Sequence, residues 1–316
     1  MKILVVRFSS IGDIVLTTPV FRCVKNQVPN VEIHFLTKKS YAGLLKSNPY
    51  IDKIWSLNDD FSTVASQLKQ EKFDLILDLH NNLRTSRLKF FLGVKTFKLR
   101  KLNVQKWLLT NFKINKLPPV HIVDRYLDTA KSLGIKNDHR GLDYFIDAAT
   151  VLKNTLPEKF VCYAIGGQHA TKKLPSKKIV ELCQKIPIPV VVIGGREDQS
   201  EGHFIENQCK NVSSLCGLLN IDQSALVMQK AEWIITHDTG MMHIAAALKK
   251  KIISIWGNTV PEFGMTPYLP DEASKIFEVQ NLPCRPCSKL GHPSCPKKHF
   301  NCMNKQDLQA ISEVVK

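Results

Sequence analysis

Residues 234–257 read Ile-Ile-Thr-His-Asp-Thr-Gly-Met-Met-His-Ile-Ala-Ala-Ala-Leu-Lys-Lys-Lys-Ile-Ile-Ser-Ile-Trp-Gly. Trp233 to Thr236 is a short β-type apolar run, and His237-Asp238-Thr239-Gly240 is polar and turn-forming. Met241 to Leu248 is rich in strong helix formers, and Ile252 to Trp256 is a second buried strand. Strand, tight turn, helix and strand together are the repeating unit of a parallel α/β sheet. Asp238 or Thr239 suits a helix cap, and Gly240 lets another group come close to the backbone. A helix N-terminus at the carboxyl end of a parallel strand is an anion site, because its unpaired N–H groups and the helix dipole point outward. The turn is therefore expected to hold a diphosphate.

Working outward, the same alternation covers the chain. Lys2 to Phe8, Val31 to Thr37, Lys53 to Leu57, Phe73 to Leu79 and a stretch near Thr96 to Leu99 read as strands, with helical segments between them. One helix is expected over Ile14 to Val28, with Pro19 in its early part, and another over His121 to Leu133. Residues 137–158 are polar and irregular enough to hold an interdomain crossing. The pattern then restarts with Phe160 to Ile165 closed by Gly166-Gly167, and Pro189 to Ile193 closed by Gly194-Gly195. The fold class is α/β: two Rossmann-like domains facing a central cleft, over 1–155 for an acceptor and 156–303 for a nucleotide, with a Cys-rich loop at 281–303 and a terminal helix at 304–316. Ligands bind outside the carboxyl ends of such strands, which gathers Ser9 to Asp13, His80 to Arg84, Gly166 to Lys173, Gly194 to Asp198 and His237 to His243.

The length of 316 residues suits two domains. No apolar run approaches the roughly 20 residues of a membrane span. The start lacks the long apolar region of a signal peptide and fits a first strand, so a cytoplasmic protein is expected. The net charge of +16 implies an acidic partner. Between Asp78 and Asp124 there is no Asp or Glu, while Arg84, Arg87, Arg100, Lys101 and other basic residues alternate with Phe90, Phe91, Phe97, Trp107 and Phe112. One face of one domain is expected to be basic and apolar-rimmed. Of the cysteines, Cys23, Cys162, Cys183, Cys209 and Cys216 sit in apolar contexts as reduced core residues, whereas Cys284-x-x-Cys287, Cys295 and Cys302 cluster near the C-terminus.

Asp13 closes the turn after the first strand; an acid there ordinarily caps a helix, and its functional alternative is a general base. The turn holds only Gly12, so it is no dinucleotide fingerprint, and the chain has no Gly-Lys-Ser/Thr phosphate loop. Lys172, on a loop after a glycine pair, can reach a phosphate as a point charge. Glu197 and Asp198 offer carboxylates to ribose hydroxyls. Asp238 cannot hold phosphate, since like charges repel, and must cap the helix or accept from sugar hydroxyls. His243 lies one turn into the helix, near the expected anion.

The run Arg7-Phe8-Ser9-Ser10-Ile11-Gly12-Asp13-Ile14-Val15-Leu16-Thr17-Thr18-Pro19 resembles the N-terminal signature of the glycosyltransferase family 9 heptosyltransferases. Asp238-Thr239-Gly240-x-x-His243-x-Ala245-Ala246-Ala247, followed by Ile255-Trp256-Gly257, resembles their C-terminal signature. The resemblance implies a GT-B fold and transfer of heptose from ADP-heptose to a lipopolysaccharide inner-core sugar, with inversion. It makes Asp13 the general base. It places Lys172, Glu197 or Asp198, Asp238, Thr239, Gly240 and His243 on the donor. Thr171 beside Lys172 is taken with them, and the strand ends and the basic belt offer Ser10, Gly12, His80, Asn81, Arg84, Arg87, Arg100 and Lys101 to the acceptor, although His80 to Arg84 is only loosely typical of the family. The family's aromatic before the proline of the lysine loop is Leu174 here.

No Asp-x-Asp motif is present, so the sequence requires no cofactor or divalent metal for catalysis. Cys284, Cys287, Cys295 and Cys302 could close a structural zinc site. The basic belt suits the anionic inner face of the cytoplasmic membrane and its phosphorylated core sugars; a monomer, peripherally bound, is expected. Two alternatives remain: a GT-B enzyme using another nucleotide sugar, as a UDP-sugar transferase or epimerase, and a basic nucleic-acid-binding protein. The second lacks any recognisable nucleic-acid motif, and no nucleic-acid partner is expected.

Overall fold

The expected strands form two separate parallel sheets in the computed structural model, which describes residues 1–57 and 60–315. Unit 1 comprises Met1–Lys101 and Val120–Asp147; unit 2 comprises Leu102–Pro119 and Ala148–Lys316, whose last residue lies outside the described ones.

Unit 1 runs β1 (Lys2–Val6), α1 (Ile11–Val15), α2 (Thr18–Gln27), β2 (Glu32–Lys38), β3 (Lys53–Leu57), α3 (Phe61–Gln70), β4 (Leu75–Asp78), α4 (Leu83–Leu92) and β5 (Thr96–Lys98). Its sheet order is β3-β2-β1-β4-β5. The continuous apolar runs of β1 and β4 are buried on both faces, as parallel strands under two helix layers must be. The helix expected over Ile14 to Val28 is broken in two. Pro19 has no N–H to donate and is tolerated only in a first turn, so a new helix starts at Thr18. The Thr17 and Thr18 hydroxyls bond back to the Ile14 and Val15 carbonyls across the break.

α5 (Asn103–Phe112) counts with unit 2, and α6 (Ile122–Leu127) returns to unit 1, where a 3₁₀ turn at Asp128–Leu133 ends the segment expected as one helix. The chain therefore changes unit at 101–102, 119–120 and 147–148, where a single boundary was expected at 155. The reason is apolar: Leu109 of α5 packs with Val260 and Phe263 of unit 2. The basic belt is accordingly divided, with 84–101 in one unit and 102–116 in the other, and does not lie on one domain as expected. The last crossing falls within the polar 137–158 stretch. In unit 1 the buried Arg22 of α2 binds Asp138, Asp143 and the Gly141 carbonyl, closing that tail onto the sheet.

Unit 2 continues with β6 (Val161–Ala164), α7 (Ser176–Lys185), β7 (Val190–Ile193), α8 (Gln199–Gln208), β8 (Val212–Ser214), α9 (Ile221–Lys230), β9 (Trp233–His237), α10 (Gly240–Ala247), β10 (Lys251–Trp256), β11 (Lys275–Glu278), α11 (Asn301–Asn304) and α12 (Leu308–Glu313). The order β11-β10-β9-β6-β7-β8 reverses direction between β6 and β9. Crossovers leave that point in opposite directions, so a crevice opens between the carboxyl ends of these two strands. The corresponding point in unit 1 lies between β1 and β4. Ile311 of α12 and Val315 after it lie in the core of unit 2 beside Ile179 and Leu182 of α7.

Candidate active site

At the switch point of unit 2, β6 leads into Gly166–Lys173 and β9 into the quoted turn. Thr239, and not Asp238, is the N-cap of α10, and its side chain makes no capping bond. Thr239 Oγ1 is buried with no hydrogen-bond partner among the described residues. A buried hydroxyl at a helix N-terminus without a partner is a place for a ligand oxygen. Asp238 is committed elsewhere: Oδ2 takes Lys172 Nζ at 2.6 Å and Thr259 Oγ1 at 2.7 Å. Lys172 also donates to the Asp238 carbonyl, at 3.1 Å. The lysine is thus drawn to the strand end by the turn itself. A side chain on Gly167 would press on Thr239 Cγ2 and Lys173 Cγ, both at 3.2 Å, which is why the two loops can lie so close. His243 is buried inside α10.

The acidic pair after β7 separates clearly. Asp198 is 2 % exposed, binds Lys173 Nζ at 2.7 Å and accepts from the Gly195 N–H at 2.9 Å. Glu201 takes the same lysine at 2.7 Å. Burial opposes the Lys173 charge, and these two carboxylates more than restore it. Glu197 remains exposed at the strand end. Behind the turn, His237 is fully buried; its Nε2 accepts from the Leu174 N–H at 3.0 Å. Burial, with Lys173 nearby, pushes its pKa down to about 3, so the ring is neutral.

Thr171, expected on the donor, has its hydroxyl and N–H engaged within the protein. Its hydroxyl accepts from the His292 N–H at 2.8 Å, and its own N–H donates to the His292 carbonyl at 3.2 Å. The Cys-rich loop is thereby stitched to the lysine loop. Arg285, between Cys284 and Cys287, donates to the carbonyls of Gly257, Val279 and Thr259 and pairs with Glu278 at 2.6 Å. It fixes the backbone of Thr259, whose hydroxyl holds Asp238. The nine cysteines are free thiols. Burial, then Cys284 and Cys295, push Cys287 up to about 11, and burial and Cys287 push Cys302 up to about 12. The four thiols are neighbours, but they do not converge: among the described residues no three His, Cys, Asp or Glu side chains are placed to hold a metal ion.

In unit 1, Asp13 is the third residue of α1, and its Oδ2 accepts from the Ser10 N–H at 3.2 Å and hydroxyl at 3.0 Å. That is the capping role. Its Oδ1 is also 2.6 Å from Arg7 Nη2. Arg7 is pinned in turn by the carbonyls of Ser9 and Leu79, both at 2.8 Å, at the ends of β1 and β4. Burial opposes the Arg7 charge, and Tyr126 and Asp13 keep its pKa raised. Tyr126 lies fully buried under the guanidinium, 5.8 Å from ring centre to Cζ. Asp13 is thus both a cap and an oriented carboxylate, with its side chain 21 % exposed.

Beside it is an open cleft of about 540 Å³ lined by Phe8, Ser9, Lys38, His80, Asn82, Leu83, Arg84 and Arg87. Burial, then Arg7 and Lys101, push the His80 pKa down to about 4, so at neutral pH the ring is uncharged. Of the expected acceptor residues, His80, Arg84 and Arg87 line this cleft. Asn81 does not: its amide is used on the Leu99 carbonyl at 2.8 Å. Gly12 is buried within α1, and Arg100 and Lys101 are exposed outside the lining. Lys38, Arg7, Thr259 and Arg285 were missed. Lys38 and Arg7 carried a signal, since both stand at strand ends; Thr259 and Arg285 carried none, because their contacts are set by folding of distant loops.

The family model for glycosyltransferase family 9 (heptosyltransferase) matches residues 61–296. The match includes the lysine loop and the quoted turn, and begins after Asp13. The chain is 24% identical over 289 residues to lipopolysaccharide heptosyltransferase 1 of Campylobacter coli, covering 82% of this chain and 84% of that one. Two solved structures share the fold. A glycosyl transferase family 9 protein of Veillonella parvula has a TM-score of 0.73 at 20% identity, covering 89% of this chain and 88% of its own. The E. coli heptosyltransferase WaaC with ADP has 0.72 at 18% identity, covering 100% and 99%.

Proposed function

The chain belongs to glycosyltransferase family 9, and from that premise we propose that it transfers heptose from ADP-heptose to a sugar of the lipopolysaccharide inner core. The observation that carries this reading is the Thr239 hydroxyl at the start of α10, buried without a hydrogen-bond partner among the described residues, beside the Lys172–Asp238 pair. A diphosphate seated there receives the α10 N–H groups and the Thr239 hydroxyl and draws Lys172 toward itself. Glu197 accepts from the ribose hydroxyls, since Asp198 is held by Lys173. Asp238 stays on Thr259 and turns toward sugar hydroxyls as Lys172 shifts.

The acceptor sugar binds in the unit 1 cleft, where neutral His80 hydrogen-bonds hydroxyls and Lys38, Arg84 and Arg87 meet anionic groups. Its hydroxyl attacks the anomeric carbon in line with the departing ADP, inverting the centre. Asp13 takes the hydroxyl proton, and Arg7 keeps its carboxylate aimed. The negative charge gained by the diphosphate is met by Lys172 and the helix start. Protein groups therefore meet every charge that develops, and turnover is expected to survive chelation by EDTA.

Calorimetry tests the donor class: ADP should bind and UDP should not, and the reverse would overturn the heptosyltransferase reading in favour of a UDP-sugar enzyme. The spacing of Cys284, Cys287, Cys295 and Cys302 keeps a structural zinc as a proposal, in which the four thiols, not convergent in this structure, would draw together on the ion. A stoichiometric zinc content that disappears in Cys284→Ser supports it; metal-free, folded and active protein removes it. The enzyme is proposed to work as a cytoplasmic monomer at the inner membrane face.

A further inference from the structure

α4 is apolar on its outward face as well as its buried one. A helix on a sheet buries its apolar stripe and turns polar residues outward. α4 buries Thr85, Leu88 and Leu92, but outward it carries Leu83, 86 % exposed, Phe90, 90 % exposed, and Phe91. Arg84 and Arg87 are exposed between them. Side chains at 83, 87, 90 and 91 share one helical face, so this is a continuous apolar and cationic stripe about 12 Å long. Nothing in the packing of unit 1 accounts for a fully presented phenylalanine. The stripe is also continuous with the cleft, whose lining includes Leu83, Arg84 and Arg87 from the first turns of α4.

We propose that this stripe docks on an anionic lipid bilayer and holds the cleft at the headgroup level, where a lipid-linked acceptor sugar is presented. The proposal rests on the cleft being the acceptor site. Charge selects the occupant: no acidic residue lies between Asp78 and Asp124, so neither α4 nor its flanks repel anionic headgroups. Aromatic side chains interleaved with Arg and Lys suit the headgroup–acyl boundary, with the rings entering and the cations remaining among phosphates. The helix lies along the surface and does not cross it; among the described residues no helix is long and apolar enough to span a membrane.

Flotation of the full chain with vesicles of neutral phosphatidylcholine, with and without anionic phosphatidylglycerol, tests this. The wild type should float with the anionic vesicles and be released by high salt. Phe90→Ser, at a site too exposed to disturb folding, should lower that partition about tenfold, as expected for losing one buried aromatic ring. Phe91→Ser, on the same face, should weaken it in the same direction. Transfer to a deacylated, soluble acceptor should be unchanged in both variants, while transfer to vesicle-embedded acceptor falls. Equal flotation of Phe90→Ser and wild type would overturn the proposal, as would equal flotation on neutral vesicles. Release by Trp107→Ser with Phe90→Ser still bound would move the docking surface to α5 and overturn it too. Loss of transfer to the soluble acceptor by the wild type would count against the enzymatic reading, not against vesicle binding, which is measured separately.

Discussion

The two switch points solve the handling of anions in opposite ways. In unit 2 the polar groups are committed to one another: Lys172 to Asp238, Asp238 to Thr259, Thr259 to Arg285 through its carbonyl, and Lys173 to Asp198 and Glu201. In unit 1 the cleft is open and cationic, and the Asp13 carboxylate beside it is held by Arg7 and Ser10. A network of mutually satisfied groups is preorganised for one ligand, because moving any member strands another in a buried place. An open wall of Arg and Lys attracts anionic groups with less dependence on their placement. On the proposed function, unit 2 would then accept one placement of a diphosphate, while unit 1 would read its acceptor mainly through charge.

Substitutions can break this contrast. The largest effect is expected from Asp13→Asn, which keeps the shape of the capping turn and removes the base. Turnover should fall ~10²–10⁴-fold, with ADP affinity unchanged by calorimetry. Loss of ADP binding in a folded variant would move Asp13 to the donor side. Next, Lys172→Met should weaken ADP binding roughly tenfold to a hundredfold, the range for losing a charge-assisted bond. Unchanged affinity would show that the pair with Asp238 is purely structural.

Smaller effects sharpen the comparison. Thr259→Val should raise the KM for donor about tenfold with little change in kcat, since it removes one hydrogen bond to the Asp238 carboxylate and leaves the Lys172 pair in place. Arg7→Met should move the acid limb of the kcat/KM profile to higher pH, because a carboxylate without its cation protonates more readily. Arg7→Lys should keep the limb near its wild-type position; no movement in either variant would remove Arg7 from the positioning of Asp13.

The smallest is a pH effect on stability. His80 and His237 have folded-state pKa values of about 4 and about 3, below the ordinary histidine value of 6.5. The unfolded chain therefore binds protons first as pH falls. Their contribution is complete above 6.5 and is lost on the way down to about 4 and 3. Thermal melting should drop over that window, and His80→Gln should flatten the slope near its upper end. An unchanged slope would mean that carboxylates dominate it.

How much of this was legible follows from the same contrast. The quoted turn was readable because strand, turn and helix are local, and the sheet order then put it at a switch point. That Lys172 stands at a strand end was readable from its loop; the role proposed for it came from the resemblance. What failed was what depends on distant packing. Asp238 or Thr239 was expected as the cap, with sugar hydroxyls as the alternative for Asp238; the cap is Thr239, and Asp238 is tied up by Lys172 and Thr259. Thr171 was expected on the donor and instead holds the Cys-rich loop, 121 residues away in sequence. The ambiguity between Glu197 and Asp198 needed Lys173 to be placed. On the acceptor side the basic belt was read as one surface, but Leu109 finds its apolar partners in the other unit. Charge along a chain does not say where the chain crosses between domains; burial decides that.

The most direct test is transfer itself. Purified protein is mixed with ADP-heptose and a deacylated inner-core acceptor, and the products are followed by mass spectrometry and by release of ADP. The expected result is an acceptor heavier by one heptosyl unit, with equimolar ADP, for the wild type and none for Asp13→Asn. Folded wild-type protein that binds ADP yet leaves the acceptor unmodified, or that transfers equally well as Asp13→Asn, would contradict it.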